Sequence, residues 1–446
     1  MSSASPLRHP ESFSLSPAKL LSRQGVYLRP DPSRVVVRQF RPATEPRDLN
    51  PTDKTRANHI VERVLALDAA TAAHQLAEVL ENFQGRHRNL LDLFETRADD
   101  MEGAFAAHAT FTREQRRLIG AYFLHEYSFE AAALFNPSIV ASFDQTGAPE
   151  QGRRFILSVR AVGEGHISSL TFRSGSLSAD GSVTLDPTAP LASIPEVTRR
   201  IPGPDGDEVE LTFGQHEHIS ERVIFPVTDA QSNGIEDARF VEFGSGADRV
   251  FYATYTAYNG RGIRSELLET RDFLSFRLAP LRGDAAKNKG MALFPRLIGG
   301  QYAMIGRQDN ENLYLIYSDD LRSWNGGVAI LKPQFPWEFV QIGNCGSPIE
   351  LDEGWLLLTH GVGPVRKYSI GAVLLDKADP SRVLARTREP LVRPEPPERA
   401  GYVPNVVYTC GAMRHGDRLI LPYAISDTFS NFATISIPAL MSSMAG

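Results

Sequence analysis

Two stretches decide the fold: ELLETRDFLSF (266–276) and YLIYSDDLRSW (314–324). Each runs through an apolar strand, then Ser or Thr, then Asp with an apolar neighbour, and closes on an aromatic residue. Each follows another strand that ends in polar or aromatic residues, ATYTAYNGRG (253–262) and YAMIGRQDN (302–310). FILSVRAVGEG (155–165), LLLTHGVGP (356–364) and LILPYAISD (419–427) have the same texture, giving five segments of one type. Short period-two strands with regular turns and no intervening helix pattern argue against a parallel βαβ sheet. The repeat alone leaves a sandwich and a radial five-bladed propeller both open. In a propeller these five would be inner strands. Their polar ends, Arg160, Tyr255, Arg307, His360 and Asp427, would then meet.

Upstream, the period changes. Residues 51–133 carry apolar residues at three- and four-residue spacing, as in Ile60, Val64, Leu67 and Leu76, Val79, Leu80, Phe83. This predicts three or four amphipathic helices, with Thr or Asp caps in PTDKT and TFTREQ. Residues 1–50, rich in Ser, Pro and Arg, read as an extended arm with one or two strands. The expected organisation is an arm (1–50), a helical extension (51–133) and a mainly β domain (134–446). No chemical constellation falls in the helices, which read as packing or homo-oligomer structure.

The chain has 446 residues and a net charge of −6, which argues against a nucleic-acid partner. Two distant cysteines, Cys345 and Cys410, exclude a disulfide framework and fit a reducing, cytoplasmic setting. No apolar run is long enough for a membrane span. HEH (216–218) lacks a third ligand, so no metal site is expected. GSGAD (244–248) lacks the Lys-Ser/Thr of a phosphate-binding loop and reads as a hairpin. Trp324 and Trp355 read as packing.

NGIEDARF (233–240) places Glu236 and Asp237 at the mouth of a strand, with Arg239 two residues on. From the residues alone, Asp237 is either a turn residue or an acid at the rim of a pocket. Taken in order, LFNPSIV, NGIEDARFV, YATYTAYNG, NKGMALFPRLIGGQYAMIGRQDN, IYSDDLRSW, GWLLLTHGV, YSIGAVLLDKADPSRVLART, VPNVVYTCGAM and LPYAISDT resemble glycoside hydrolase family 130, over roughly residues 130–437. That family holds β-mannoside phosphorylases and β-1,2-mannosidases. The resemblance implies a five-bladed β-propeller with an α-helical N-terminal extension. It also implies an inverting glycoside phosphorylase on β-mannosides, β-1,2-linked, in which phosphate attacks the anomeric carbon and gives α-mannose 1-phosphate.

The resemblance further implies that Asp237 is the general acid, acting through a hydroxyl of the bound sugar. Ala238 stands where the family's Glu-Asp-Pro-Arg motif has Pro. Arg307, His360 and Tyr368 match phosphate-site positions, with Asn288 beside them. Gln341 of QIGNCGSP replaces a Lys, and Lys287, Lys289, Arg366 and Lys367 are the candidates to supply the charge. Asn136, Ser138, Arg160, Tyr258 and Asp427 are the implied sugar contacts. Phosphate is already a nucleophile, so one acid and an oxyanion seat suffice. No cofactor is implied, only inorganic phosphate as co-substrate with the oligosaccharide. Hydrolysis on the same scaffold needs a carboxylate base, for which Glu164 is the candidate. A sugar-binding propeller without turnover is the third reading.

Overall fold

The computed structural model describes residues 20–43, 54–101, 103 and 111–444; the rest of the expected arm and parts of the helical segment lie outside these. The chain enters through β1 (Leu21–Arg23) and β2 (Val36–Gln39), the two strands expected of the arm. Four helices follow: α1 (Arg56–Leu65), α2 (Ala69–Phe83), α3 (Leu90–Asp100) and α4 (Arg113–Tyr122). The starts of α1 and α4 are those the caps in PTDKT and TFTREQ predicted. Thr55 forms a capping box with Asn58, Thr112 forms one with Gln115, and Asp68 accepts from the Thr71 amide. Val61, Val64, Leu76, Phe94, Leu118 and Ile119 form their core. Gly120 lets α3 and α4 touch, because a Cβ there would lie 1.9 Å from the Phe94 carbonyl oxygen. No helix among the described residues is long and apolar enough to cross a membrane.

After β3 (Leu124–Tyr127), which pairs with β2, the chain is antiparallel sheet. A first unit comprises β4 (Ala133–Ala141), β5 (Arg153–Val162), β6 (Ser168–Leu177) and β7 (Val183–Leu185). Three short strands follow, β8 (Glu196–Ile201), β9 (Glu208–Thr212) and β10 (Val223–Ile224). The second unit is β11 (Gly234–Phe243), β12 (Val250–Tyr258), β13 (Ile263–Thr270) and β14 (Ser275–Pro280). A single parallel pairing, Gly234 with Ser168, joins these units into one 11-stranded sheet.

The third unit is β15 (Ala292–Leu293), β16 (Tyr302–Gly306), β17 (Leu313–Ser318) and β18 (Val328–Leu331). The fourth is β19 (Gln341–Asn344), β20 (Ile349–Glu350), β21 (Trp355–Val362), β22 (Tyr368–Leu375) and β23 (Val383–Arg386). The fifth is β24 (Val407–Tyr408), β25 (Met413–His415), β26 (Arg418–Ile425) and β27 (Phe429–Ser436), before α5 (Ile437–Met444). The N-terminal β1 pairs antiparallel with β27 and completes the fifth unit from the other end of the chain. The protein is mainly β, with few helices.

Hydrophobic clusters lie between consecutive units. Phe172 of the first meets Phe240, Phe273 and Phe276 of the second. Leu267 of the second packs with Met304 and Trp324 of the third, and Phe294 meets Trp355 of the fourth. Leu358 and Ile370 pack with Leu421 and Tyr423 of the fifth, and Phe432 returns to Phe155 of the first. Both faces of β21 are covered, so it is buried along its whole length. Phe276 and Trp324, the aromatics that close the two repeats, are buried, as is Trp355.

The five segments read as inner strands are the second strands of their units. The edge positions belong to β4, β11, β15, β19 and β24.

The arm is held by charge. Glu130, fully buried, accepts from Arg34 of the arm at 3.0 Å and from Arg173 of β6 at 2.8 and 3.1 Å. Arg34 also donates to the Ser220 carbonyl. Removing Glu130 strands two buried guanidinium groups. Glu130→Ala is expected to lower stability by about 3–5 kcal/mol, read as a shift of the urea midpoint at unchanged slope. A loss below about 1 kcal/mol contradicts a structural role for this triad.

Candidate active site

Two neighbouring β-bulges build the site. The β4–β5 pairing slips between Phe135 and Ser138, and the β11–β12 pairing slips between Glu236 and Arg239. Each slip holds one residue in the left-handed region, Asn136 (φ 50°) and Asp237 (φ 54°). Asn and Asp tolerate that conformation better than other side-chain-bearing residues. A bulge re-aims a side chain without ending the strand. Here both side chains turn toward each other, and Asn136 Nδ2 donates to Asp237 Oδ1 at 2.7 Å.

The bulges are tied together. Ser138 Oγ accepts from the Phe240 amide at 3.0 Å, and the Pro137 carbonyl accepts from the Cys410 amide at 2.8 Å. Arg239, buried, donates to the Asp237 carbonyl at 2.8 Å and to the Tyr408 hydroxyl at 2.8 Å. Arg160, from the end of β5, reaches Glu236 Oε1 at 2.7 Å and Asp237 Oδ1 at 3.2 Å.

These residues open on a cavity of about 280 Å³ to which every unit contributes. The first supplies Asn136 and Arg160, the second Glu236 and Asp237. Lys289 and Arg307 come from the third, Gln341, His360, Arg366 and Tyr368 from the fourth, and Val406, Tyr408 and Asp427 from the fifth. Four cations and three carboxylates thus share a small, polar space. A larger cavity, about 610 Å³, lies at the other ends of the same strands, lined by Ile139–Ala141, Phe240–Glu242 and Ser347–Glu350 among others. There Glu350 is clamped by Arg296 at 2.9 Å. Asp237 and the cations that face it are in the smaller cavity.

One corner gathers Arg307, His360 and Tyr368. Arg307 Nη1 lies 3.2 Å from His360 Nε2. The His360 ring stacks on Tyr368 at 5.9 Å and leans on Tyr408 at 4.8 Å. Burial, then Arg307 and Arg239, push the imidazole well below its ordinary pKa, so it is neutral and accepts from Arg307. Gly343, opposite His360 in the β19–β21 pairing, makes room for the ring, because a Cβ there would lie 2.2 Å from His360 Cε1. Asn288 Nδ2 donates to the Arg307 carbonyl at 2.8 Å and holds the loop.

The carboxyl groups are driven apart. Burial pushes Asp237 up, but Arg160, Arg239, Lys289 and the Asn136 hydrogen bond outweigh it and hold the group at about 2. Burial and the nearby Asp237 push Asp427 up to about 6.

Of the residues predicted from sequence, Asp237, Arg307, His360, Tyr368, Gln341, Asn136, Arg160 and Asp427 line this cavity. Ser138, Asn288 and Tyr258 do not. The first two support the bulge and the Arg307 loop. Tyr258 ends β12, and its carbonyl accepts from Asn233 at 2.9 Å. Tyr255, expected to converge with the others, is buried and bonded to Glu266. Glu164 is exposed on the β5–β6 loop and lies outside the cavity lining. Of the four residues offered as replacements for the missing Lys, Lys289 and Arg366 line the cavity, whereas Lys287 and Lys367 do not. Sequence reading passed over Tyr408, whose aromatic signal at a strand end is no different from that of a core residue.

Known proteins resemble this chain in sequence and in fold. The glycoside hydrolase family 130 model, described as beta-1,4-mannooligosaccharide phosphorylase, matches residues 209–445. A 1,2-beta-oligomannan phosphorylase of Thermoanaerobacter sp. (strain X514) is 34% identical over 224 residues, 49% of this chain and 74% of that protein. A beta-1,2-mannobiose phosphorylase of Listeria innocua serovar 6a is 33% identical over 226 residues, 48% of this chain and 61% of that one. The solved structure of a Listeria innocua beta-1,2-mannobiose phosphorylase in complex with beta-1,2-mannobiose shares the fold, with a TM-score of 0.51 and 22% identity over 70% of this chain and 92% of that chain. Since the family match spans more than half of its length, the chain belongs to glycoside hydrolase family 130.

Proposed function

We propose that the protein is an inverting β-mannoside phosphorylase acting on β-1,2-linked manno-oligosaccharides with inorganic phosphate. The observation that carries this reading is that the Asp237 carboxylate shares a small cavity with the Arg307–His360–Tyr368 corner. Phosphate seated there is the nucleophile. Its oxygen attacks the anomeric carbon on the face away from the leaving group, and the product is α-mannose 1-phosphate. Arg307 offers charge-assisted hydrogen bonds, and Lys289 and Arg366 supply the charge that Gln341 lacks. Asn136, Arg160 and Asp427 meet the sugar hydroxyls, and Asp237 delivers the proton to the leaving oxygen. The names of the curated relatives support this activity. Phosphate is both nucleophile and co-substrate, so the scheme needs no cofactor.

The five antiparallel units are taken as the blades of a propeller over residues 134–446, with the helical segment as its extension. The clusters between successive units, including one between the fifth and the first, favour that arrangement. So does β1 on the edge of the fifth unit.

Incubation with β-1,2-mannobiose is expected to give a sugar phosphate only when phosphate is present; equal turnover without it rules out phosphorolysis in favour of hydrolysis. Asp237→Asn should lower kcat by about 10²–10⁴-fold, and full activity in that variant removes the acid assignment. Gly343→Ala, which displaces His360, should raise the KM for phosphate by about tenfold while leaving mannobiose binding nearly unchanged. An unaltered phosphate KM contradicts the seat.

A further inference from the structure

The site cavity, about 280 Å³, is smaller than the roughly 300–1,000 Å³ of pockets that enclose a drug-sized ligand. With phosphate in one corner it holds little more than one sugar ring, so the sugars of the leaving group lie on its rim. Inversion sets phosphate and leaving group on opposite faces of the anomeric carbon. The Arg307–His360–Tyr368 corner comes from the third and fourth units, whereas Asp237 is bonded to Asn136 and Arg160 of the first. The leaving group therefore exits beside the first unit.

There the rim carries two exposed rings. His166 closes the loop between β5 and β6, and Tyr402, 51% exposed, stands on the segment that leads to Val406 and Tyr408 in the cavity wall. Both are fixed. Gly401 lets its segment lie against the turn that carries Asp427, because a Cβ there would be 2.5 Å from Ser426 Cβ. The Tyr402 amide donates to Thr428 Oγ1 at 2.8 Å, and the Val403 amide donates to the Ser426 carbonyl at 3.0 Å. His166 is left-handed at φ 59°, and its loop is held from β3 by the Tyr127 hydroxyl, which donates to the Glu164 carbonyl at 2.7 Å.

The two side chains also hold each other. The Tyr402 hydroxyl lies 2.8 Å from His166 Nδ1, and the ring centres are 5.6 Å apart at 34°. Their polar atoms are thus paired while the Tyr402 ring stays open to solvent. A pyranose presents a face of C–H groups, and a flat aromatic ring is the side chain that covers it. A ring already anchored at its backbone and its hydroxyl loses little freedom when sugar binds. The other exposed apolar side chains beside lining residues are Phe339 and Val340, next to Gln341, and Val365, next to Arg366. They belong to the fourth unit, on the phosphate side.

We propose that the Tyr402–His166 pair is the platform for the second sugar of the leaving group, so that the protein selects β-1,2-linked trisaccharides and longer chains over the disaccharide. This rests on the phosphorylase reading. Asp427 lines the cavity and meets the first leaving sugar; Tyr402, packed on the same turn but outside the lining, meets the next one. Tyr402 determines specificity and takes no part in bond breaking.

The test compares KM for β-1,2-mannobiose and β-1,2-mannotriose in the wild type, Tyr402→Ala and Tyr402→Phe. The wild type is expected to favour the trisaccharide by about tenfold in KM. Tyr402→Ala should raise the trisaccharide KM to that of the disaccharide and leave the disaccharide value unchanged. Tyr402→Phe keeps the ring, loses only the bond to His166, and should keep most of the preference. A wild type with no preference, an Ala variant that retains it, or a loss that falls equally on both sugars overturns the platform. So does a Phe variant as poor as the Ala variant, since the ring would then contribute nothing. Turnover that ignores phosphate defeats the phosphorylase reading instead, and the ratio of the two KM values still decides whether Tyr402 holds the extra sugar.

Discussion

Asp237 faces the cavity because β11 slips register between Glu236 and Arg239, and the rest of the site depends on that slip. A regular strand would alternate residues 236–239 between its two faces. The bulge instead lets Arg160 bond to both Glu236 and Asp237, and turns Arg239 behind them to clamp the Asp237 carbonyl. The left-handed backbone at Asp237 is costly, by about 1–3 kcal/mol, and survives because it is over-determined. The matching bulge at Asn136, the Ser138 hydroxyl and the Arg239 guanidinium all hold it.

From that point the site extends through contacts rather than along the chain. Arg239 reaches Tyr408, Tyr408 packs on His360, and His360 accepts from Arg307. These residues come from the second to the fifth units, so Asp237 and the Arg307–His360 pair are held in one frame only if the units are packed against each other. The buried aromatic clusters between units supply that packing. Beneath the cavity, Cys345 and Cys410 are free and buried, with burial raising both thiols, Cys345 to about 12. They serve as small apolar filler rather than as reactive groups.

Much of the fold was legible because its signals are local. The caps at Thr55 and Thr112 and the strands from Arg153–Val162 to Arg418–Ile425 follow from neighbouring residues alone. The strands most legible in the sequence are the second of each unit, for a physical reason. These strands are buried over most of their length and give the strongest apolar runs, whereas β15 and β24 are only two residues long. The site was legible through resemblance, residue by residue, and it failed where a polar group turns away from the cavity. The Ser138 hydroxyl satisfies a strand amide and the Asn288 amide holds a loop, and both choices depend on partners about 20 and 100 residues away. No single-chain pattern encodes a register slip between paired strands, so the left-handed turn at Asp237 could not be read in advance.

The central claim is that one proton-delivering side faces an oxyanion seat across a shared cavity. A crystal structure of the protein soaked with phosphate tests it most directly. The account predicts a phosphate within hydrogen-bonding distance of Arg307 and Tyr368, with the Asp237 carboxylate in the same cavity but not bonded to the anion. Phosphate bound only elsewhere on the molecule, or an Asp237 side chain turned out of the cavity, would contradict it.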